Sequence, residues 1–150
     1  DDPVWKCDDD FLSMGGLASG FLNRTNDHAL VYQVIERLAV MARDAGTPLF
    51  YTAPLPDIRR YAKNNPFSLF QTLKIGAYGI WLKLPNKTTG KEEDTQIHAD
   101  ERFIMKQDMD LCLQTLLRFR VVMIENRYSF FFKPTMGSKG GQASTRTKER

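Results

Sequence analysis

The stretch that decides the fold spans residues 27–53 and reads DHALVYQVIERLAVMARDAGTPLFYTA. Its first part repeats apolar residues at the spacing of one helical face, and the charged residues fall largely on the opposite face. Asn26 or Asp27 can cap the start of this helix, Gly46 is placed to end it, and Pro48 prevents its continuation. The stretch therefore predicts a core helix at about 28–45, followed by a short aromatic strand at 48–53.

Downstream of this unit, helical and strand patterns alternate. In chain order they predict helices at 56–64 and 67–75, a strand at 77–84, a long polar loop at 85–101, a return strand at 102–106, a helix at about 109–119, and a hairpin of strands at 120–125 and 128–133. The leading order, helix-strand-helix-helix-strand-long loop-strand, is that of a winged-helix domain. We therefore predict an α+β single domain with a winged-helix-like order, followed by an extra helix and a β-hairpin. The alternative is a set of helices packed on one antiparallel sheet.

The core is predicted from the apolar faces of these elements. The helix at 109–119 contributes several candidates for burial: Met109, Leu111, Cys112, Leu113, Leu116 and Leu117. Seven residues from the whole chain are expected to be largely buried and in mutual contact: Val34, Ile35, Leu38, Trp81, Phe103, Leu113 and Leu116.

Charge and composition divide the chain into three parts. Of 150 residues, 42% are hydrophobic and the net charge is +3, which is the balance of a folded domain rather than a disordered one. Residues 134–150 hold four basic residues against one acidic residue and so carry the whole net charge. We expect an irregular N-terminal arm at 1–24, an α+β domain at 25–133, and a flexible basic tail at 134–150.

Residue types that support catalysis or metal binding are few and scattered. The two histidines and two cysteines, at positions 7, 28, 98 and 112, include no closely spaced pair of the kind that zinc sites use. No Gly-x-Ser-x-Gly turn is present. We therefore expect no enzymatic activity, no metal, no cofactor and no small-molecule ligand. Two cysteines exclude a disulfide-rich scaffold, and Cys112 is expected to be buried, which favours an intracellular, reducing compartment. No membrane association is expected, because no apolar run approaches the length of a membrane helix.

Basic and aromatic residues supply the candidate binding sites. The predicted contacts with nucleic acid or an acidic partner are Arg59, Arg60, Lys63, Lys83, Lys87, Lys91, Lys139, Arg146, Lys148 and Arg150. Strand alternation should send Tyr128, Phe130 and Phe132 to one face and Phe131 to the other. A strand that is apolar on both faces is either covered or meets a partner, so Tyr128 and Phe131 are predicted protein contacts.

These patterns favour binding over catalysis. We predict a non-catalytic interaction or assembly subunit of a larger nucleic-acid-handling complex, docking through apolar surface and the basic C-terminal tail. Other protein subunits are the expected partners, and nucleic acid is a further possible one. The alternative is a module of the winged-helix type that binds nucleic acid directly.

Overall fold

The fold combines two helices with nine strands in a computed structural model that describes residues 2–8, 11–18, 21–53, 66–69, 77–100, 102 and 107–132. The elements are β1 (Val4–Cys7), β2 (Phe11–Ala18), β3 (Phe21–Thr25), α1 (His28–Ala45), β4 (Leu49–Ala53), β5 (Phe67–Ser68), β6 (Ala77–Ile80), β7 (Lys83–Pro85), β8 (Glu92–Asp94), α2 (Gln107–Phe119) and β9 (Met123–Phe132). The predicted helix at 56–64, most of the return strand at 102–106 and the tail at 134–150 lie outside the described residues.

Seven strands form one mixed sheet that curls into a half-barrel, and β7 and β8 form a separate hairpin. Six strands follow the order β1-β6-β4-β9-β2-β3, and β5 pairs with β9 beside this path. All neighbours are antiparallel except β4 and β9, which are parallel. The α+β single domain stands, but the winged-helix-like order is wrong. The antiparallel alternative is wrong as well, because the parallel β4–β9 pair lies within the sheet.

The N-terminal segment accounts for much of this difference. Residues 1–24 were expected to be irregular, but β1, β2 and β3 occupy most of them, so this prediction is wrong for the described residues. The glycine-rich β2 has little intrinsic strand preference. It forms a strand because it pairs with β3 on one side and with β9, far along the chain, on the other. Local sequence carries no signal for such long-range pairing.

The predicted hairpin at 120–133 is also wrong, because β9 runs without turning through the expected turn at Asn126 and Arg127. Its register against β4 jumps from Thr52↔Glu125 to Ala53↔Ser129, so the intervening residues bulge out. The first half of β9 pairs with β4 and β5, and the second half pairs with β2. These pairings keep the chain extended where an Asn residue had suggested a turn.

Three further predictions, for residues 67–101, differ from the structure. The helix expected from residue 67 is wrong at its start, where Phe67–Ser68 is a strand. The strand expected at 77–84 divides into β6 and β7. The polar loop at 85–101 does not lie outside the core throughout, because Thr95 and Ile97 are each 3% exposed.

The helix α1 is confirmed together with both of its ends. The Asp27 carboxylate accepts hydrogen bonds from the backbone N–H groups of Ala29 and Leu30, at 2.9 and 3.4 Å. Gly46 adopts the left-handed conformation with φ of 74°, and its N–H bonds to the last turn of the helix. The strand predicted after it is confirmed as the fully buried β4.

Apolar residues fill both faces of the sheet. On the α1 side, Leu38, Phe50, Trp81 and Met123 form a cluster that continues into a second one around Val34 and Phe130. On the α2 side, the cluster comprises Leu49, Tyr51, Tyr78, Ile80, Ile97, Leu111, Cys112, Val122 and Ile124.

The predicted core is confirmed in part. Val34, Leu38 and Trp81 are buried, while Ile35 and Leu116 are partly buried against these clusters. Leu113 is 51% exposed, so its predicted burial is wrong, and Phe103 lies outside the described residues.

Candidate docking surface

A ridge of exposed apolar side chains runs along α2. Met109, Leu113 and Leu117 are 37%, 51% and 67% exposed, and their spacing of four residues places them on one side of the helix. Leu111, Cys112 and Thr115 occupy the opposite side and are buried against the sheet. Met109 and Leu117 were expected to be available for burial, as Leu113 was, but only one side of α2 meets the sheet. We call Met109, Leu113 and Leu117 the α2 ridge.

Polar contacts on the flanks fix how α2 sits on the sheet. The Arg118 guanidinium donates to the Gln96 side-chain oxygen at 2.7 Å and to the Gln96 carbonyl at 3.3 Å. Gln114 donates to the His98 carbonyl at 2.9 Å and accepts from the His98 N–H at 3.4 Å. These bonds tie the helix to the segment at 96–98 and resist rotation about its axis. The α2 ridge is therefore held away from the sheet.

Opposite charges mark the two ends of α2. Asp108 and Asp110 lie in the first turn, and Arg118 lies in the last, as the helix dipole favours. Arg120 follows immediately, is exposed, and has a φ of 64°, the left-handed region that glycine usually fills. Its backbone N–H still bonds to the Leu116 carbonyl at 3.1 Å, so its Cα keeps the register of the helix.

The predicted basic contacts of the hairpin come together on one element but are matched by acidic groups. Lys83, Lys87 and Lys91 are all exposed on the β7–β8 hairpin. Lys83 pairs in register with Asp94, and β8 contributes two further carboxylates at 92 and 93. This hairpin is therefore of mixed charge rather than a basic patch. The other predicted contacts lie outside the described residues: Arg59, Arg60, Lys63, Lys139, Arg146, Lys148 and Arg150.

The aromatic residues of β9 alternate as predicted. Tyr128 and Phe132 pack around the buried Phe130 on the α1 side of the sheet. Phe131 lies beneath the Arg24 guanidinium, 4.0 Å from its ring centre. Tyr128 lies against Arg37 in the same way, at 5.7 Å. Both predicted protein contacts, Tyr128 and Phe131, are thus partly buried and already engaged within the chain.

A buried charge cluster at the β9 bulge was missed by the sequence analysis. Glu125 is fully buried and accepts hydrogen bonds from Arg127 Nε and Nη2 at 2.7 and 2.6 Å, and from Arg37 Nη2 at 3.2 Å. The Arg127 guanidinium also lies 5.2 Å from the ring centre of Phe67. The cluster joins α1, β5 and the bulge. Its carboxylate faces two guanidinium groups, which gives it a structural role in holding the bulge.

Burial or a local ion pair explains the shifted pKa values of Tyr51, Tyr78 and Asp100. Burial, helped by the neighbouring Cys112 thiol, raises the pKa of Tyr51, and burial also raises the pKa of Tyr78. Hydrogen bonds from Arg102 lower the pKa of Asp100 to about 2. None of these shifts requires a reactive site to explain it.

An open apolar cleft of about 520 Å³ lies between β2 and the start of α1. Its volume is within the usual range for small-ligand pockets, and its lining is mostly apolar, with polar groups on Asn26, His28 and Tyr32. The lining residues are Phe11, Leu12, Asn26, His28, Val31, Tyr32 and Ile35.

A metal site, a membrane-spanning helix or a known relative would each indicate a class of function. Among the described residues, no three His, Cys, Asp or Glu side chains are grouped so as to hold a metal ion. Neither of the two described helices is long and apolar enough to cross a membrane. No protein-family model, curated protein or solved structure matches the chain.

Proposed function

We propose that this chain is a non-catalytic interaction or assembly subunit that docks on protein through the α2 ridge. The observation that carries the proposal is the exposure of Met109, Leu113 and Leu117 on a helix whose opposite side is buried. Single exposed apolar side chains are common on protein surfaces. Three of them, a methionine and two leucines, in a row on one helix form an apolar patch, which is typical of an interaction site.

The energetics of the ridge also favour docking. Burying apolar surface contributes about 25 cal/mol per Å², and covering one exposed leucine is worth about 1.5–3 kcal/mol at most. The flanking bonds from Arg118 and Gln114 hold the helix in place before any partner arrives. Little ordering cost is therefore paid on binding, which increases the affinity available from a small patch.

Direct binding of nucleic acid has less support in the described residues. A winged-helix mode of binding does not fit the observed fold, and the three carboxylates of β8 offset the hairpin lysines. The tail at 134–150, predicted to dock on phosphates or an acidic protein, lies outside the described residues. Its role in a nucleic-acid-handling complex stays a prediction.

Site-directed photo-crosslinking tests the proposal. A photo-reactive phenylalanine analogue replaces Leu117 in the full chain, and a matched control carries it at Asp44, an exposed residue of α1. We expect discrete protein adducts from position 117 that persist in 0.5 M NaCl and after nuclease treatment, because apolar docking is insensitive to salt. Adducts equal at both positions, or none at position 117, would contradict docking through the ridge.

A tail deletion separates the two predicted binding elements. Removing 134–150 should leave the position-117 adducts unchanged in high salt, and should weaken binding to a labelled 20-nucleotide single strand most strongly at low salt. If the truncated chain binds the oligonucleotide as tightly as the full chain at every salt concentration, the tail has no phosphate-docking role.

A further inference from the structure

We propose that the partner of the α2 ridge is a second copy of this chain, packed antiparallel so that α2 meets α2 about a twofold axis. This inference rests on the proposed function and names the partner of the same surface. Its basis is the exposed leucine pair of α2 and the opposite charges that lie on either side of this pair.

Three residues of α2 and the residue that follows the helix have the spacing of a helix–helix seam. Asp110, Leu113, Leu117 and Arg120 are separated by three, four and three residues. Alternating steps of three and four keep the three helical side chains on one stripe that faces a neighbouring helix, and the bond from the Arg120 N–H to the Leu116 carbonyl keeps the Arg120 Cα in line with that stripe. The two central positions are the most exposed apolar residues of α2, and the end positions carry opposite charges. Arg120 is exposed, whereas Asp110 is half-buried and one of its carboxylate oxygens accepts a hydrogen bond from Gln114 Nε2 at 2.7 Å, which leaves its other oxygen for a partner.

This pattern is self-complementary in the antiparallel direction. Asp110 lies three residues before Leu113, and Arg120 lies three residues after Leu117. The register that places Leu113 against the partner's Leu117 therefore also places Asp110 against the partner's Arg120. The twofold axis repeats both contacts, as in an isologous dimer. A parallel pairing would instead set each Asp110 beside its own copy and each Arg120 beside its own copy.

The backbone at Arg120 supplies an independent observation. A φ of 64° strains any residue other than glycine, and Asn or Asp tolerates it best among the rest. A long cationic side chain at this position costs conformational energy that a glycine cap would avoid. Many helices end on a left-handed residue, but that residue is usually glycine, so the arginine here points to a use for its side chain. Within the part of the chain that the structure describes, the Arg120 guanidinium joins no ion pair.

The size of the contact sets the expected strength. The stripe from Asp110 to Arg120 spans about 15 Å of helix at 1.5 Å per residue. A single helix pair of this length is smaller than a standard stable interface. We therefore expect a reversible dimer that forms at micromolar or higher concentrations of the full chain.

Charge reversal at the two ends of the stripe tests the register. In Asp110→Arg and in Arg120→Asp, each twofold-related contact becomes a pair of like charges, so each single variant should dimerise about tenfold more weakly. The double variant restores both contacts with their signs exchanged and should recover dimerisation to within about threefold of the original chain. An equimolar mixture of the two single variants should form a heterodimer, because one chain then carries two cations and the other two carboxylates at these positions.

Sedimentation equilibrium of the full chain from about 5 to 500 μM measures these constants. Asp44→Arg on α1 is the matched control for charge reversal and should leave dimerisation unchanged. Circular dichroism at each concentration verifies that every variant is folded. Asp is well tolerated in the left-handed conformation, so Arg120→Asp should not weaken the fold.

The outcomes distinguish the proposal about the partner from the proposal that the α2 ridge is a docking surface. A chain that stays monomeric throughout this range, or a dimer that both single reversals leave intact, would overturn self-association through α2. If position-117 adducts then contain a different protein, docking through the ridge stands while its partner is not a second copy. If position 117 gives no adducts, the proposed function fails as well.

Discussion

Replacing Gly79 with alanine should test how tightly the sheet packs against α1. Gly79 pairs with Trp5 on one side and Phe50 on the other, and the Phe50 ring lies across it. A Cβ at this position would lie 2.1 Å from Phe50 Cζ and 2.2 Å from Cε2. Carbon atoms pack at about 3.5–4.0 Å, so the ring would have to retreat by well over 1 Å. Phe50 is fully buried among Leu38, Trp81 and Met123, which leaves the ring little room to do so.

The expected cost follows from this geometry. Overpacking a core costs about 1–3 kcal/mol, and a ring with no route to solvent belongs at the upper end. Alanine has less conformational freedom than glycine in the unfolded chain, which by itself stabilises the folded protein by about 0.5–1 kcal/mol. The net loss in the free energy of unfolding should therefore be about 2 kcal/mol. Urea unfolding followed by tryptophan fluorescence measures it, because Trp5 and Trp81 both pack on this cluster.

Two further variants make the reasoning refutable. Gly16→Ala is the control, because its Cβ would lie 3.4 Å from Tyr128 Cε1, an ordinary contact, and it should change the free energy of unfolding by less than 1 kcal/mol. In the double variant Gly79→Ala/Phe50→Leu, the removed ring should make the combined loss smaller than the sum of the single losses. A Gly79→Ala chain as stable as the original would refute the close packing of Phe50 on this strand.

Two other predictions concern charged groups. Arg127→Ala should lower the free energy of unfolding by about 3 kcal/mol in urea titrations, because the buried Glu125 carboxylate loses two short hydrogen bonds. Arg37→Ala should lower it by less, because it removes one longer hydrogen bond from a half-exposed arginine. A larger loss for Arg37→Ala than for Arg127→Ala would contradict the role assigned to Arg127. The Asp100 pKa of about 2 lies below its unfolded value, so the stabilisation it provides is present at neutral pH and is lost as pH falls from about 4 towards 2. Arg102→Gln should return the Asp100 pKa towards its ordinary value in an NMR carboxyl titration, and an unmoved pKa would exclude Arg102 as the cause.

The candidate surface could have been anticipated only in part. Seven apolar residues in α2 occupy more of its circumference than one buried face can cover, and this excess is visible in the sequence. Which of the seven are exposed depends on how α2 is rotated on the sheet, and that rotation is fixed by contacts with Gln96 and His98, remote in sequence. The Glu125 cluster had no sequence signal, because its partner Arg37 comes from α1.

The sequence by itself determined those elements whose signals are local. The apolar period, the aspartate cap and the terminal glycine predicted α1; the apolar period predicted α2; and a short aromatic, β-prone run predicted β4. Tertiary structure alone decided the three N-terminal strands, the uninterrupted course of β9 and the parallel β4–β9 pair. A helix closes its hydrogen bonds within a few residues, whereas a strand obtains its hydrogen bonds from a distant partner. Here the paired strands β1 and β6, β2 and β9, and β4 and β9 lie about 70 to 120 residues apart in the chain, so no window of sequence could reveal them.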